Sequence, residues 1–151
     1  MFYESWKMFF LLLPAFTFYM KDWLKTYSHK KELEFRNQFK DSIQTMSAAL
    51  KAGYSVENAL RETYSDLKSL YKKDSRILKE YEQMIYKLNI NRTAEQVLEE
   101  FSDSVNQEDV QNFITVFTAA KKSGGDSIAI IYNSVKIISE KIETEKEIQT
   151  L

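Results

Sequence analysis

The sequence predicts an all-α fold, an antiparallel bundle of about six helices with an additional apolar, membrane-associated helix at its N-terminal end. Three observations predict it. Proline occurs once and glycine three times in 151 residues, while Lys, Glu, Leu, Ile and Ala, all good helix formers or helix-core residues, are abundant. From about residue 31 nearly to the last residue, apolar side chains recur with the 3.6-residue period of a helix buried along one face. Where that period breaks, capping residues stand at the breaks. The chain divides on this reading into residues 1–30, an apolar membrane-proximal helix with a basic flank, and residues 31–151, a helical domain.

The first helix is built on "MFFLLLPAFTFYM", residues 8–20, thirteen uncharged residues between Lys7 and Lys21. This run is shorter than the roughly 20 apolar residues that span a bilayer, and it lacks the small-residue cleavage site of a signal peptide. Trp6 and Trp23 flank it, roughly 25 Å apart at about 1.5 Å per helical residue, the spacing of an interfacial aromatic belt. Lys21, Lys25, His29, Lys30 and Lys31 follow, and a basic cluster on one side of an apolar segment marks the cytoplasmic side. Trp6, Trp23, Lys21 and Lys25 are therefore expected to anchor the chain at a membrane interface, leaving the rest in the cytoplasm. The competing expectation is a buried helix of a soluble domain, which would have to be wrapped on nearly every face.

In the domain, Phe35, Phe39, Ile43, Met46 and Leu50 form one stripe of a first long helix, which Gly53 ends in the left-handed conformation glycine adopts without strain. Ser55 caps a second helix with Val56, Ala59, Leu60, Tyr64 and Leu67 inward. "KKDS" separates it from a third, carrying Ile77, Tyr81, Met84, Ile85 and Leu88, which "NINR" ends. Thr93 with Gln96 makes a capping-box pattern for a short fourth helix with Ala94, Val97, Leu98 and Phe101 inward. Asn106 is expected to cap a fifth, in which Val110, Phe113, Ile114 and Phe117 fall at i, i+3, i+4 and i+7.

"AAKKSGGDSI", residues 119–128, then places two adjacent glycines between apolar patterns. Lys121 and Lys122 suit the negative end of the helix dipole, Gly124 can close the helix in the left-handed region, Gly125 permits close backbone approach, and Asp126 can cap the next helix. The stretch reads as a tight reversal between antiparallel helices. A phosphate loop would need the Gly-x4-Gly-Lys-Ser/Thr order and a preceding strand, and Asp126 would repel the anion. The sixth helix carries Ile128, Ile131, Val135, Ile138 and Ile142 and runs to Leu151 without a stop signal, a rod of about 39 Å. It reads as an element cut before its end, with a frayed natural terminus as the alternative.

Little in the sequence favours catalysis or nucleic-acid binding. Lys and Arg total 21 against 22 Asp and Glu, a formal net charge of −1, which offers nucleic acid no attraction. Without cysteine there is no disulfide, thiolate nucleophile or zinc ribbon. His29 is alone among lysines, and metal sites and acid–base triads need converging partners. Glu99 and Glu100 diverge by about 100° on a helix. Glu140, Glu143 and Glu147 share a face, but Lys136, Lys141 and Lys146 alternate with them, so a solvated charged face is favoured over a cation site. Ser123 has no base nearby in sequence. The expectation is a non-enzymatic protein without metal or cofactor. Binding is the better reading, and Tyr71, Tyr81 and Tyr86 suit contact surfaces, although Tyr81 fits the core stripe.

Three blocks, "QFKDSIQTMSAALKAGYSVENALRE" (38–62), "NRTAEQVLEEFSDSV" (91–105) and "DVQNFITVFTAAKKSGGDSIAIIYNSVKIISEKIETEKEIQTL" (109–151), resemble in order the type II secretion system F domain. The likeness is closest to the inner-membrane platform proteins of tight-adherence (Tad/Flp) pili and covers about residues 36–151. The resemblance implies a six-helix cytoplasmic domain held by transmembrane helices, one group following the last helix. It also implies a scaffold at the bacterial cytoplasmic (inner) membrane that couples a secretion ATPase to pilin assembly, with other platform subunits or a second copy as further partners. Positions matched by Gly53, Ala59, Leu60, Gly124 and Gly125 recur in that family. The rival expectation is a soluble helical adaptor or homodimeric scaffold unrelated to secretion.

Overall fold

The computed structural model describes residues 3–124 and 127–150, with side chains from residue 12 onward. The described residues form six helices and no strand: α1 (Tyr3–Lys51), α2 (Val56–Leu70), α3 (Arg76–Asn89), α4 (Ala94–Val105), α5 (Glu108–Ser123) and α6 (Ser127–Thr150). The chain divides into two units, Met1–Glu34 and Phe35–Leu151. One expectation is corrected here. The apolar run of residues 8–20 is not an additional helix, because it is the opening of the 49-residue α1. The physical reason is that residues 15–52 contain neither glycine nor proline, so nothing in the basic flank stops the helix. Pro14 lies inside α1, and the hydroxyl of Thr17 donates to the Pro14 carbonyl at 2.9 Å. No helix among the described residues is long and apolar enough to cross a membrane.

The unit from Phe35 onward is organised by pairwise antiparallel packing of successive helices. Polar contacts fix the direction. Arg61 early in α2 donates to Asn89 at the end of α3, and Lys87 late in α3 pairs with Glu100 of α4 while Ser104 reaches back to Glu80. Glu95 at the start of α4 pairs with Lys121 at the end of α5, and Asp109 at the start of α5 pairs with Lys141 of α6. The C-terminal part of α1 lies antiparallel to α6, with Lys40 on Glu143 and Gln44 on Ser139.

The stripe Phe35, Phe39, Ile43, Met46 and Leu50 is buried, no member being more than 6% exposed. Phe39 meets Phe113 edge-on at 5.9 Å and Phe101 at 6.3 Å, joining α1 to α5 and α4. The inward residues expected of α3, α4 and α5 are buried, except that Ile85, like Val56 and Tyr64 of α2, is only partly so. In α6 the core residues are Ile131, Val135, Ile138 and Ile142, whereas Ile128 is 43% exposed. Ile128 sits about 50° from the centre of that stripe at roughly 100° per residue, so the seven-residue repeat begins one step later than its spacing suggests.

The turns show how the chain reverses. At the end of α1, Tyr54 N–H donates to Ala49 O and Gly53 N–H to Leu50 O, the paired bonds of a Schellman closure, with Gly53 at φ 94°. Ser55 accepts from Asn58 N–H at 3.3 Å. After α3 the same closure recurs with Asn91 at φ 64° in the glycine's place, Arg92 N–H donating to Lys87 O and Asn91 N–H to Leu88 O. Thr93 and Gln96 make both bonds of the capping box, each 3.3 Å. Asn106 does not cap α5. It ends α4 in the left-handed region (φ 50°, ψ 46°), a conformation asparagine tolerates better than most residues, and Gln107 takes the cap position with no side-chain bond. Gly124 ends α5 at φ 65°, while Gly125 and Asp126 lie outside the described residues.

Two outcomes are expected. A Cβ at Gly124 would meet no atom within 4 Å, so substitution there is opposed by backbone conformation alone. Gly124→Val should lower stability by about 1–2 kcal/mol and Gly124→Asn by clearly less, read from thermal unfolding. An unchanged melting temperature in the valine variant would remove the left-handed assignment. The second concerns Tyr81, whose phenol burial pushes up to about 12 from 10.0 against the weaker opposing pull of a hydrogen bond with Ser42. The unfolded phenol ionises first, so this contribution to stability is complete below pH 10.0 and is lost as pH rises toward 12. Tyr81→Phe should flatten the fall between those values by up to about 2–3 kcal/mol in denaturant titrations.

Candidate functional site

The most unusual surface lies in the first unit, where every residue from Leu12 to Glu32 is exposed. Exposed apolar groups are concentrated there: Phe16 is 65% exposed, Phe18 79%, Tyr19 76% and Trp23 63%. Soluble surfaces seldom leave so many large apolar side chains in one continuous stretch, and such a patch marks a protein or membrane contact. Trp23 and Tyr27, one turn apart, stack at 5.9 Å with 13° between their planes, and Lys31 Nζ lies 4.7 Å over the Tyr27 ring. Helical spacing alone produces this ladder of aromatic, aromatic and cation at i, i+4 and i+8. Lys21 and Lys25 are exposed, as is His29; the side chain of Trp6 lies outside the described residues.

In the second unit, charge gathers around Asp109 at the start of α5. Its carboxylate is only 5% exposed, and both oxygens are used. Oδ2 accepts from Arg36 Nε at 2.7 Å and lies 2.6 Å from Arg36 NH2, while Oδ1 accepts from Lys141 Nζ at 2.9 Å. Arg36 also donates to Glu145 of α6, and Lys141 lies 3.6 Å from Glu108. One carboxylate thus joins α1, α5 and α6, from a position where the positive end of the α5 dipole also favours it. Burial pulls the Arg36 guanidinium down, but the bonds to Glu145 and Asp109 outweigh it and the net shift is upward. The hydrogen bond to Asp109 likewise raises Lys141 above its ordinary value, against a smaller loss to burial.

This arrangement holds charges still. Each oxygen of Asp109 is paired with a cation, Oδ2 with Arg36 and Oδ1 with Lys141, which favours the ionised carboxylate. No group of three or more His, Asp or Glu among the described residues is placed to hold a metal ion. Glu143 pairs with Lys40 at 3.0 Å, and Glu140 lies 4.0 Å from Lys136, the solvated charged face that alternation of sign suggests. Ser123 Oγ donates to the Ala120 carbonyl, and Glu100 is held below the usual carboxylate range chiefly by Lys87. Tyr81 is buried, Tyr86 is 65% exposed, and the half-buried Tyr71 places its hydroxyl on Asp41. The structural residues Gly53, Ser55, Thr93 and Gly124 all sit at helix ends, away from Asp109.

Sequence reading missed the Asp109 cluster because Arg36 and Asp109 are 73 residues apart and Arg36 and Glu145 are 109 apart. A signal was present nonetheless. Asp109 falls four residues before Phe113, on the apolar stripe of its own helix, where an unpaired acid would be costly. The expected outcome of Asp109→Ala is a loss of about 2 kcal/mol or more, since Arg36 and Lys141 lose their buried partner and Arg36 keeps only the more exposed Glu145. Lys141→Met, at a position 40% exposed, should cost under about 1 kcal/mol. Chemical denaturation of both variants checks the ranking, and equal costs would remove Asp109 from the centre of the cluster.

No family model, no curated protein and no solved structure matches the chain.

Proposed function

We propose that the chain is a non-enzymatic scaffold at the cytoplasmic face of a bacterial inner membrane, a platform of the kind that couples a secretion ATPase to pilin assembly in tight-adherence pili and type II secretion. The observation that carries the reading is the exposed aromatic and lysine-flanked surface of residues 12–31, in the same chain as a helical bundle with a buried apolar core. A soluble protein gains nothing by leaving that surface in water. The likeness to the type II secretion system F domain supports the rest. Its most specific blocks fall on the two glycine-closed turns, "ALKAGYSVENAL" across Gly53 and Ser55 and "AAKKSGGD" across Gly124. On this reading pilin, further platform subunits and the ATPase meet the helical unit, and lipid meets the first.

A second reading has its own observation. Ile130, Ile137 and Ile148 are exposed on α6 and lie within about 20° of one another around the helix, a second apolar stripe beside the buried one. A soluble homodimeric adaptor could bury it.

The test is fractionation of the full chain in its host together with capture of the secretion ATPase encoded in the same genome. Sedimentation with membranes and capture of the ATPase are expected. A chain that stays soluble, ignores the ATPase and elutes as a dimer moves the function to the adaptor.

A further inference from the structure

The apolar surface of the first unit is one-sided. At about 100° per residue, Phe16, Met20, Trp23 and Tyr27 fall together, bounded by Tyr19 and Leu24, on a face about 140° wide. The opposite side carries Thr17, Lys21, Lys25 and Ser28, with Phe18 as its single large apolar residue. All of these side chains are exposed. A segment crossing a bilayer would be apolar all round, whereas here Lys21, Asp22 and Lys25 lie within about one turn of the middle of residues 12–31. Beyond Tyr27 the apolar face does not simply end: Lys30 and Lys31 return to it, and Lys31 Nζ lies over the Tyr27 ring. Between residues 12 and 32 four lysines face only Asp22 and Glu32, in a chain whose formal net charge is −1.

We infer that residues 12–31 lie along the surface of an anionic lipid bilayer, not across it, with the Phe16, Met20, Trp23 and Tyr27 face sunk to the headgroup and acyl boundary. Lys30 and Lys31 meet lipid phosphates at the end of that face. Helices of this type enter to about 5–10 Å, and basic residues near an anionic surface add attraction that salt screens. The indole and phenol rings suit the depth because each has an apolar body and a polar edge. The inference rests on the membrane-platform reading and specifies how its first unit meets lipid.

Phe16 and Phe18 provide the test, because they are the same residue type, both exposed, on opposite faces. The full chain is titrated with vesicles of mixed phosphatidylglycerol and phosphatidylcholine, and with phosphatidylcholine alone, while ATPase capture is measured in parallel. Phe16→Ser should weaken binding to the anionic vesicles by about tenfold or more, and Phe18→Ser by less than about twofold. Reversing Lys30 and Lys31 to Glu should cost at least about tenfold, more than reversing Lys21 and Lys25. In a Trp6→Phe background, Trp23 fluorescence should be quenched by shallow-labelled lipids in preference to deep-labelled ones. Equal losses for the two phenylalanines with deep quenching would mean that the segment spans, and would overturn the inference. Absence of vesicle binding would overturn it too, assigning the face to a protein or a second copy. In either case intact ATPase capture would leave the platform reading standing, whereas in-plane binding without capture would support the inference and remove that reading.

Discussion

Phe39 projects from α1 between α4 and α5, edge-on to Phe113 and tilted against Phe101. The helical unit depends on this burial of one α1 stripe. Phe35, one turn earlier, has the Arg76 guanidinium 4.5 Å above its ring, and Gln38, only 3% exposed, accepts the backbone N–H of Ile77 at 3.2 Å. That last contact completes the start of α3, where Ser75 stands at the cap but makes no capping bond. A fully buried Phe contributes about 1.5–3 kcal/mol, comparable to several exposed ion pairs together. The other helices are therefore ordered by what covers α1, and their mutual salt bridges adjust a packing already favoured by apolar burial.

Several polar groups are buried with a matching partner, while Ser75 Oγ and Gln107 Oε1 are buried without one. Ser42 and Thr63, both buried, return their hydroxyl protons to the carbonyls of Phe39 and Ala59 one turn back. Asp109 is the one buried acid among the described residues, and it is offset by two cations from two other helices. The arrangement is sensitive to loss of a single partner, since a buried charge left alone costs far more than a matched pair contributes. It acts as a register mark, because only one sliding position of α6 against α1 and α5 brings Lys141 and Glu145 to Asp109 and Arg36 together.

The first unit follows the opposite logic. From Leu12 to Glu32 every side chain is exposed, with Lys21 and Lys25 away from the aromatic face and Lys30 and Lys31 at its end. The scaffold proposed above would use both units, the helical one held by its own core and the first one open to a surface.

By itself the sequence determined the number of helices in the second unit, their boundaries to within a few residues and nearly all of their inward faces. Those properties are local: the 3.6-residue period, Gly53 and Gly124 in the left-handed region, Ser55 and the Thr93–Gln96 box are set by residues a few positions apart. The continuation of α1 through the basic flank was legible in the lack of any breaker after Pro14, although the change of composition suggested a boundary. Asn106 was ambiguous because asparagine serves both a helix start and a left-handed stop, and the neighbouring geometry chose the stop. Only the tertiary structure decided that Gln38 caps α3, that Ile128 stays half in water, and that Arg36, Asp109, Lys141 and Glu145 form one cluster. Those contacts join residues tens of positions apart, and nothing in a local period records which faces of two distant helices will meet.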